Sequence, residues 1–357
     1  MVAPGFGSVG LRPASADCSL PASSPGSSPK LSALDKQDFR HGLSLATTSP
    51  SAMFSFFTHP SYDEHRMHDG HPERPERTQS ILAHLKDTGQ MASFEKRKPQ
   101  AVSEEALKRV HEPLYLKNLA KSAPASGLVT IDPDTHLAPG SLRAARLAAG
   151  ALEEAVDLVL SGKSKRVFSC ARPPGHHAEH DTGMGFCFYN NVAVGAAAAL
   201  AHEEVERVAI FDFDVHHGNG TVDIFKDTPA VLVASSFQHP HYPHRYYDLK
   251  RPNIINTPLV AGTKGPGFRK AIERDWLPAI EDFKPQLIFI SAGFDAHTDD
   301  PLGDIHLKEE DFAWVTELLV DAATQHCEGR IISTLEGGYN LEALASSVAA
   351  HLEILSG

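Results

Sequence analysis

The chain has 357 residues, of which 41% are hydrophobic, and it carries a formal net charge of −12. The hydrophobic share suffices for a substantial core, yet no uninterrupted apolar run reaches the ~18–20 residues that span a bilayer. The acidic balance argues against direct nucleic-acid binding, which tracks phosphates, and suits cationic partners instead.

Residues 1–52 are dominated by Ser, Pro, Ala and Gly without apolar periodicity, which predicts a disordered tail ahead of a folded body at 53–357. The tail lacks the basic-then-apolar layout of a secretory signal. Its Ser-rich, acid-poor composition loosely resembles an organelle transit peptide, but arginines are few, and it reads as a misassigned start or a dispensable extension. From Phe54 onward, short apolar runs alternate with helical periods. In chain order the pattern predicts a strand at 54–57 and a helix at 74–88. A second helix runs through Ala145, Ala149, Leu152, Val156 and Val159 and is closed by Gly162. There follow a strand at 167–170, a helix at 190–203, and strands at 208–213 and 230–235. A helix at 267–282, a strand at 287–292, a helix at 308–326, a strand at 330–335 and a helix at 341–355 complete the series. Such alternation predicts one three-layer α/β/α domain around a mostly parallel sheet of about eight strands. Four cysteines, Cys18, Cys170, Cys187 and Cys327, are widely spaced without a CxxC pair, which fits reduced thiols in the cytoplasm.

Four loops at strand ends carry the chemistry. In Asp212-Phe213-Asp214-Val215-His216-His217-Gly218-Asn219-Gly220, strand alternation would put Asp212, Asp214 and His216 on one face. Two carboxylates and an imidazole at the end of a buried strand suit a divalent metal, zinc with an open position. In Arg172-Pro173-Pro174-Gly175-His176-His177-Ala178, the two histidines can supply a proton acceptor, with Asp212 and Asn219 as candidate orienting partners. In Ser291-Ala292-Gly293-Phe294-Asp295-Ala296-His297, Asp295 is the candidate third metal ligand, although alone it reads as a helix N-cap. In Leu335-Glu336-Gly337-Gly338-Tyr339-Asn340-Leu341, two glycines permit close approach, and the Tyr339 hydroxyl can donate to a developing oxyanion.

Taken jointly, RPPGHHAE, GFCFYNN, DFDVHHGNG, AGFDAH..DPLG and LEGGYNL resemble the arginase-like deacetylase superfamily, specifically zinc-dependent histone deacetylases of the class II type. The resemblance covers about residues 54–357 and implies a deacetylase catalytic domain there. It implies Asp214, His216 and Asp295 as zinc ligands, His176 and His177 as the catalytic pair, Asp212 as partner of His176, and Tyr339 as the transition-state tyrosine. Asn219 matches the class II residue at a position where class I members carry Asp. Phe186, after Gly185, matches one wall of a tunnel around the lysine methylenes, and Tyr242 matches the opposite wall. A structural potassium ion, held largely by carbonyls around Asp212, Asp214, His216, Ser235 and Ser236, is implied as well. The sequence departs from the family where His244-Arg245-Tyr246 replaces the usual Gly-Thr-Gly turn and where Phe237 stands for His.

The expected reaction is zinc-dependent hydrolysis of the acetyl amide of acetyl-lysine in proteins or peptides, with His177 as base and Tyr339 as oxyanion donor. The resemblance also implies a gate in Asp300-Pro301-Leu302-Gly303, where relatives acting on acetylpolyamines often carry an acidic residue; Leu302 offers no charge to a polyamine's inner nitrogen, so acetylpolyamines or other small amides rank second. A weakly active acetyl-lysine reader is a further alternative, which the presence of Tyr339 disfavours. A binuclear arginase-type site would need a carboxylate where this chain has Gly218.

Overall fold

In Val208-Ala209-Ile210-Phe211 every side chain is buried, and successive residues enter different cores: Val208 and Ile210 one, Ala209 and Phe211 the other. Burial on both faces is what a parallel sheet covered by helices requires. The computed structural model describes residues 53–357; the predicted tail lies outside the described residues.

In chain order the elements are β1 (Met53–Phe57), α1 (Glu76–Asp87), β2 (Glu95–Arg97), α2 (Glu104–Leu107), α3 (Pro113–Ser122), β3 (Val129–Asp132), β4 (Thr135–Leu137), α4 (Ser141–Leu160) and β5 (Ser164–Ser169). Then come α5 (Asn191–Ala199), β6 (Val208–Asp212), α6 (Asn219–Phe225), β7 (Val231–Gln238), β8 (Ile254–Leu259) and α7 (Gly265–Phe283). The chain closes with β9 (Leu287–Ala292), α8 (Glu309–His326), β10 (Ile331–Leu335) and α9 (Leu341–Ser356). Eight strands form one wholly parallel sheet in the order β2-β1-β5-β10-β9-β6-β7-β8, and β3 and β4 form a separate antiparallel hairpin.

The three layers follow from the two cores. Ile81 and Leu85 of α1, Phe268 and Trp276 of α7, Phe312 and Leu319 of α8, and Leu344 and Leu352 of α9 pack on one face. Leu107 of α2, Leu116 of α3, Leu152 and Val156 of α4, Val192 of α5 and Val222 of α6 cover the other. The predicted architecture is therefore the observed one. Among the described residues, no helix is long and apolar enough to cross a membrane.

The differences from the predicted elements have physical causes. Strand β8 carries polar Asn256 and Thr257 and a proline, Pro258, and it pairs only with β7, so it lacks the apolar signature of a central strand. Strand β2, Glu-Lys-Arg, lies at the opposite edge, where charge guards against further pairing. Strand β6 stops at Asp212, one residue short of the predicted end.

Candidate active site

Beyond Asp212 the backbone bends, and Asp214 and His216 lie in that bend rather than on a strand. Strand alternation is thus not what brings Asp214 and His216 together, contrary to expectation, and Asp212 does not join them as a ligand but turns its Oδ2 to His176. Local hydrogen bonds gather the bend instead. Asp212 Oδ1 accepts from the Asp214 amide at 3.1 Å, and Asp214 Oδ1 accepts from the His216 amide at 2.9 Å. Asp295 follows β9 and caps no helix: its Oδ1 accepts from the Val215 amide at 2.9 Å, tying the two loops together.

Asp214, His216 and Asp295 thereby each present a ligating atom, all within 4.8 Å of one another, and all three residues are buried. His216 Nδ1 lies 3.0 Å from Asp214 Oδ1 and 3.1 Å from Asp295 Oδ2. Among the described residues, neither carboxylate has a Lys or Arg partner. Burial opposes a charge on His216, yet the two carboxylates push its pKa up to about 10, so the cluster demands positive charge. Two glycines leave room beside it. A Cβ on Gly337 would fall 2.0 Å from Asp295 Oδ2, and one on Gly293 would fall 2.1 Å from Asp214 Oδ2. Two carboxylates, one imidazole and a backbone cradle without side chains fit a divalent cation such as zinc.

The histidine pair stands beside this cluster. His176 Nδ1 meets Asp212 Oδ2 at 2.8 Å, and His177 Nδ1 meets Asn219 Oδ1 at 2.6 Å. The rings, with centroids 4.0 Å apart, are driven in opposite directions. For His176, burial opposes protonation but is outweighed by Asp212 and Asp214, so its pKa is well above the ordinary value. For His177, burial and then the charges of His176 and His216 hold the pKa well below it. One imidazole is kept charged and its neighbour neutral. The loop is fixed by Glu336, which accepts from the Gly175 and His176 amides at 2.7 and 3.1 Å and from Ser291 Oγ at 3.0 Å.

Tyr339 enters from the loop after β10. Asp300 Oδ2 accepts from its amide at 2.6 Å, and the Arg77 guanidinium lies 4.8 Å from its ring centroid. Burial pushes the phenol pKa well above its ordinary value against the opposing Arg77 charge, so the hydroxyl stays a donor. The Phe186 ring stands edge-on to Tyr339 at 5.8 Å, and the Tyr242 ring edge-on to His177 at 5.2 Å. Gly185 sits at φ +55°, where a Cβ would strike His177 Cδ2 at 2.4 Å. Leu302 is tied in through its backbone: its carbonyl accepts from His241 Nε2 at 2.9 Å, and the His241 ring stacks on His216 with centroids 5.1 Å apart.

Near the position expected for potassium, Ser235 and Ser236 flank Asp212 and form local hydrogen bonds. Ser235 is paired in register with Asp212, and its Oγ accepts from the Gly218 amide at 3.3 Å, while Ser236 Oγ donates to the Asp212 carbonyl at 3.5 Å. At Gly218 a Cβ would fall 2.3 Å from Asp212 Oδ2, so a second carboxylate of the binuclear kind has no room.

Sequence reasoning overlooked the buried ions that brace these loops. Arg172 donates from Nε and a terminal nitrogen to both Glu73 oxygens at 2.6 Å, and Arg77 donates to the Gly338 carbonyl at 2.6 Å. Thr135 of the β3–β4 hairpin was overlooked too; its Oγ1 accepts from the Phe186 amide at 2.9 Å. The available signal was charge inside Pro-rich turns, as in His71-Pro72-Glu73-Arg74-Pro75-Glu76-Arg77.

Residues 71–355 match the histone deacetylase domain model. A histone deacetylase-like amidohydrolase of Pseudomonas aeruginosa is 39% identical over 295 residues, covering 81% of this chain and 77% of that protein. The human polyamine deacetylase HDAC10 is 34% identical over 309 residues, covering 80% of this chain and 44% of that protein. The crystal structure of the HDA15 HD domain superposes with a TM-score of 0.81 at 31% identity, covering 86% of this chain and 88% of that one. With the sheet order, the buried Asp-His-Asp cluster and the paired histidines already in place, these matches show that the chain belongs to the histone deacetylase family of the arginase/deacetylase superfamily.

Proposed function

We propose that residues 53–357 form a class II-type deacetylase that hydrolyses the acetyl amide of acetyl-lysine in peptides or proteins. One observation carries the reading: His177, oriented through Nδ1 by Asn219, stands with its ring 5.8 Å from that of His216 in the Asp-His-Asp cluster.

Zinc held by Asp214, His216 and Asp295 would supply Lewis-acid polarisation of the amide carbonyl and acidify the attacking water. In this scheme His177 accepts the water's proton at Nε2 and later delivers it to the departing amine. His176, kept charged by Asp212, stabilises the developing negative charge without transferring a proton. The Tyr339 hydroxyl donates to the oxyanion, a contact worth roughly 2.7–4 kcal/mol in comparable sites. Phe186 and Tyr242 flank the approach and suit the apolar methylenes of lysine. A structural potassium ion near Asp212 and Ser235 belongs to the same reading. The cytoplasm is the proposed compartment, and the buried cysteines Cys170, Cys187 and Cys327 are free thiols.

Acetylpolyamines are the second substrate reading, favoured by the identity shared with the human polyamine deacetylase. Leu302 weighs against it, because an apolar gate cannot pair with an inner ammonium. The ratio of kcat/KM for an acetyl-lysine peptide to that for acetylspermidine tests the choice. A ratio above one supports the lysine reading, and a clear polyamine preference overturns it.

A further inference from the structure

Asn219 can hold His177 in either of two tautomers, depending on which end of its amide faces the ring. Its Oδ1 lies 2.6 Å from His177 Nδ1, and its Nδ2 donates to Glu179 Oε1 at 2.7 Å. The reverse orientation would set an amide oxygen against the Glu179 carboxylate and against the His177 carbonyl, which lies 3.4 Å from Nδ2; the charged acceptor at 2.7 Å is the stronger of the two in fixing which way Asn219 points. With Oδ1 toward the ring, Nδ1 must carry the hydrogen and Nε2 keeps its lone pair.

Glu179 is itself held in place. It is 2% exposed, His111 Nδ1 donates to its carbonyl at 2.9 Å, and an Arg245 terminal nitrogen reaches its Oε2 at 3.0 Å. Arg245 lies in His244-Arg245-Tyr246, the stretch that replaces the family's Gly-Thr-Gly turn, and the neighbouring Tyr246 hydroxyl donates to Asp223 Oδ1 at 2.8 Å. The divergent loop is thus latched onto the segment that follows the histidine pair.

We propose that Glu179, paired with Arg245, is a positioning residue that fixes the amide of Asn219 and, through it, the Nδ1–H tautomer of His177. The proposal deepens the deacetylase reading, since that tautomer leaves Nε2 free to act as the base. Removing the Glu179 carboxylate lets Asn219 turn its NH2 toward the ring, which favours the Nε2–H form and removes the base without disturbing the metal ligands.

The test uses the full zinc-loaded chain with 15N-labelled histidine. Two-bond 1H–15N correlation reads the tautomer, and loss of the signal in His177→Asn assigns it. Parallel assays give kcat and KM on an acetyl-lysine peptide. Glu179→Leu should move His177 toward Nε2–H and lower kcat about 10–100-fold with KM and zinc content unchanged. Glu179→Gln retains an acceptor for Asn219 and should keep Nδ1–H and most of the turnover. Should the leucine variant not fold, Arg245→Ala, at a side chain 46% exposed, loosens the same carboxylate and should give a partial shift in the same direction. A His177 that stays wholly Nδ1–H in Glu179→Leu, or in Arg245→Ala in its place, overturns the proposal. The tautomer is read without substrate, so an inactive wild-type protein would defeat the deacetylase reading while this measurement still decides the positioning role.

Discussion

His176 and His177 stack with ring centroids 4.0 Å apart, yet each is engaged through Nδ1 by a different partner, a carboxylate in one case and an amide in the other. That difference separates their charges: Asp212 helps hold His176 protonated, and the resulting cation helps hold His177 neutral. Asp212→Asn should therefore neutralise His176, remove a positive neighbour and raise the pKa of His177. A base with a higher pKa becomes active only at higher pH, so the acidic limb of the kcat/KM profile should move upward. At neutral pH the loss should be about 10–100-fold. An unmoved acidic limb would contradict the assignment of charge to the pair.

Tyr339→Phe removes the hydroxyl and keeps the ring that packs between Arg77 and Phe186. Turnover should fall about 100–1,000-fold, as for loss of one oxyanion donor, while KM, zinc content and thermal stability hold. A near-normal rate would remove Tyr339 from the mechanism.

His351 links three elements, with Nδ1 at 2.6 Å from Thr316 Oγ1 of α8 and Nε2 at 3.0 Å from Ser333 Oγ of β10. Burial lowers its pKa to about 3. Between that value and the ordinary 6.5, the unfolded chain binds a proton that the folded chain does not, so folding loses stability as pH falls. The expected slope from this group is about 1.4 kcal/mol per pH unit below pH 6. Denaturant titrations of the wild type and of His351→Gln between pH 6 and 4 measure it; equal slopes in both proteins would contradict the buried neutral imidazole.

Deleting residues 1–52 should leave kcat/KM on an acetyl-lysine peptide unchanged, because every group assigned to the reaction lies within 53–357. A loss of tenfold or more would place part of the working machinery in the removed segment.

The sequence made the central strands and the loops at their ends legible because both signals are local. Val208–Phe211 and Leu287–Ile290 are continuous apolar runs, and each is followed at once by the residues that carry chemistry. Strand β8 was hidden because an edge strand with Pro258 need not be apolar throughout. The bend that gathers Asp214 and His216 was hidden as well, since side-chain to backbone hydrogen bonds leave no periodicity. Charge balance at a distance is the least legible feature. Glu73 and Arg172 are 99 positions apart and fully buried, and nothing near either residue announces the other.

One metal ion, held by Asp214, His216 and Asp295, is the centre of the proposed chemistry. Elemental analysis of the purified full chain, set beside Asp295→Ala, tests this most directly. We expect close to one zinc per chain in the wild type and little in the variant, because two remaining protein ligands hold zinc weakly. Full zinc occupancy in Asp295→Ala, or a wild-type protein that turns over acetyl-lysine without any divalent metal, would contradict it.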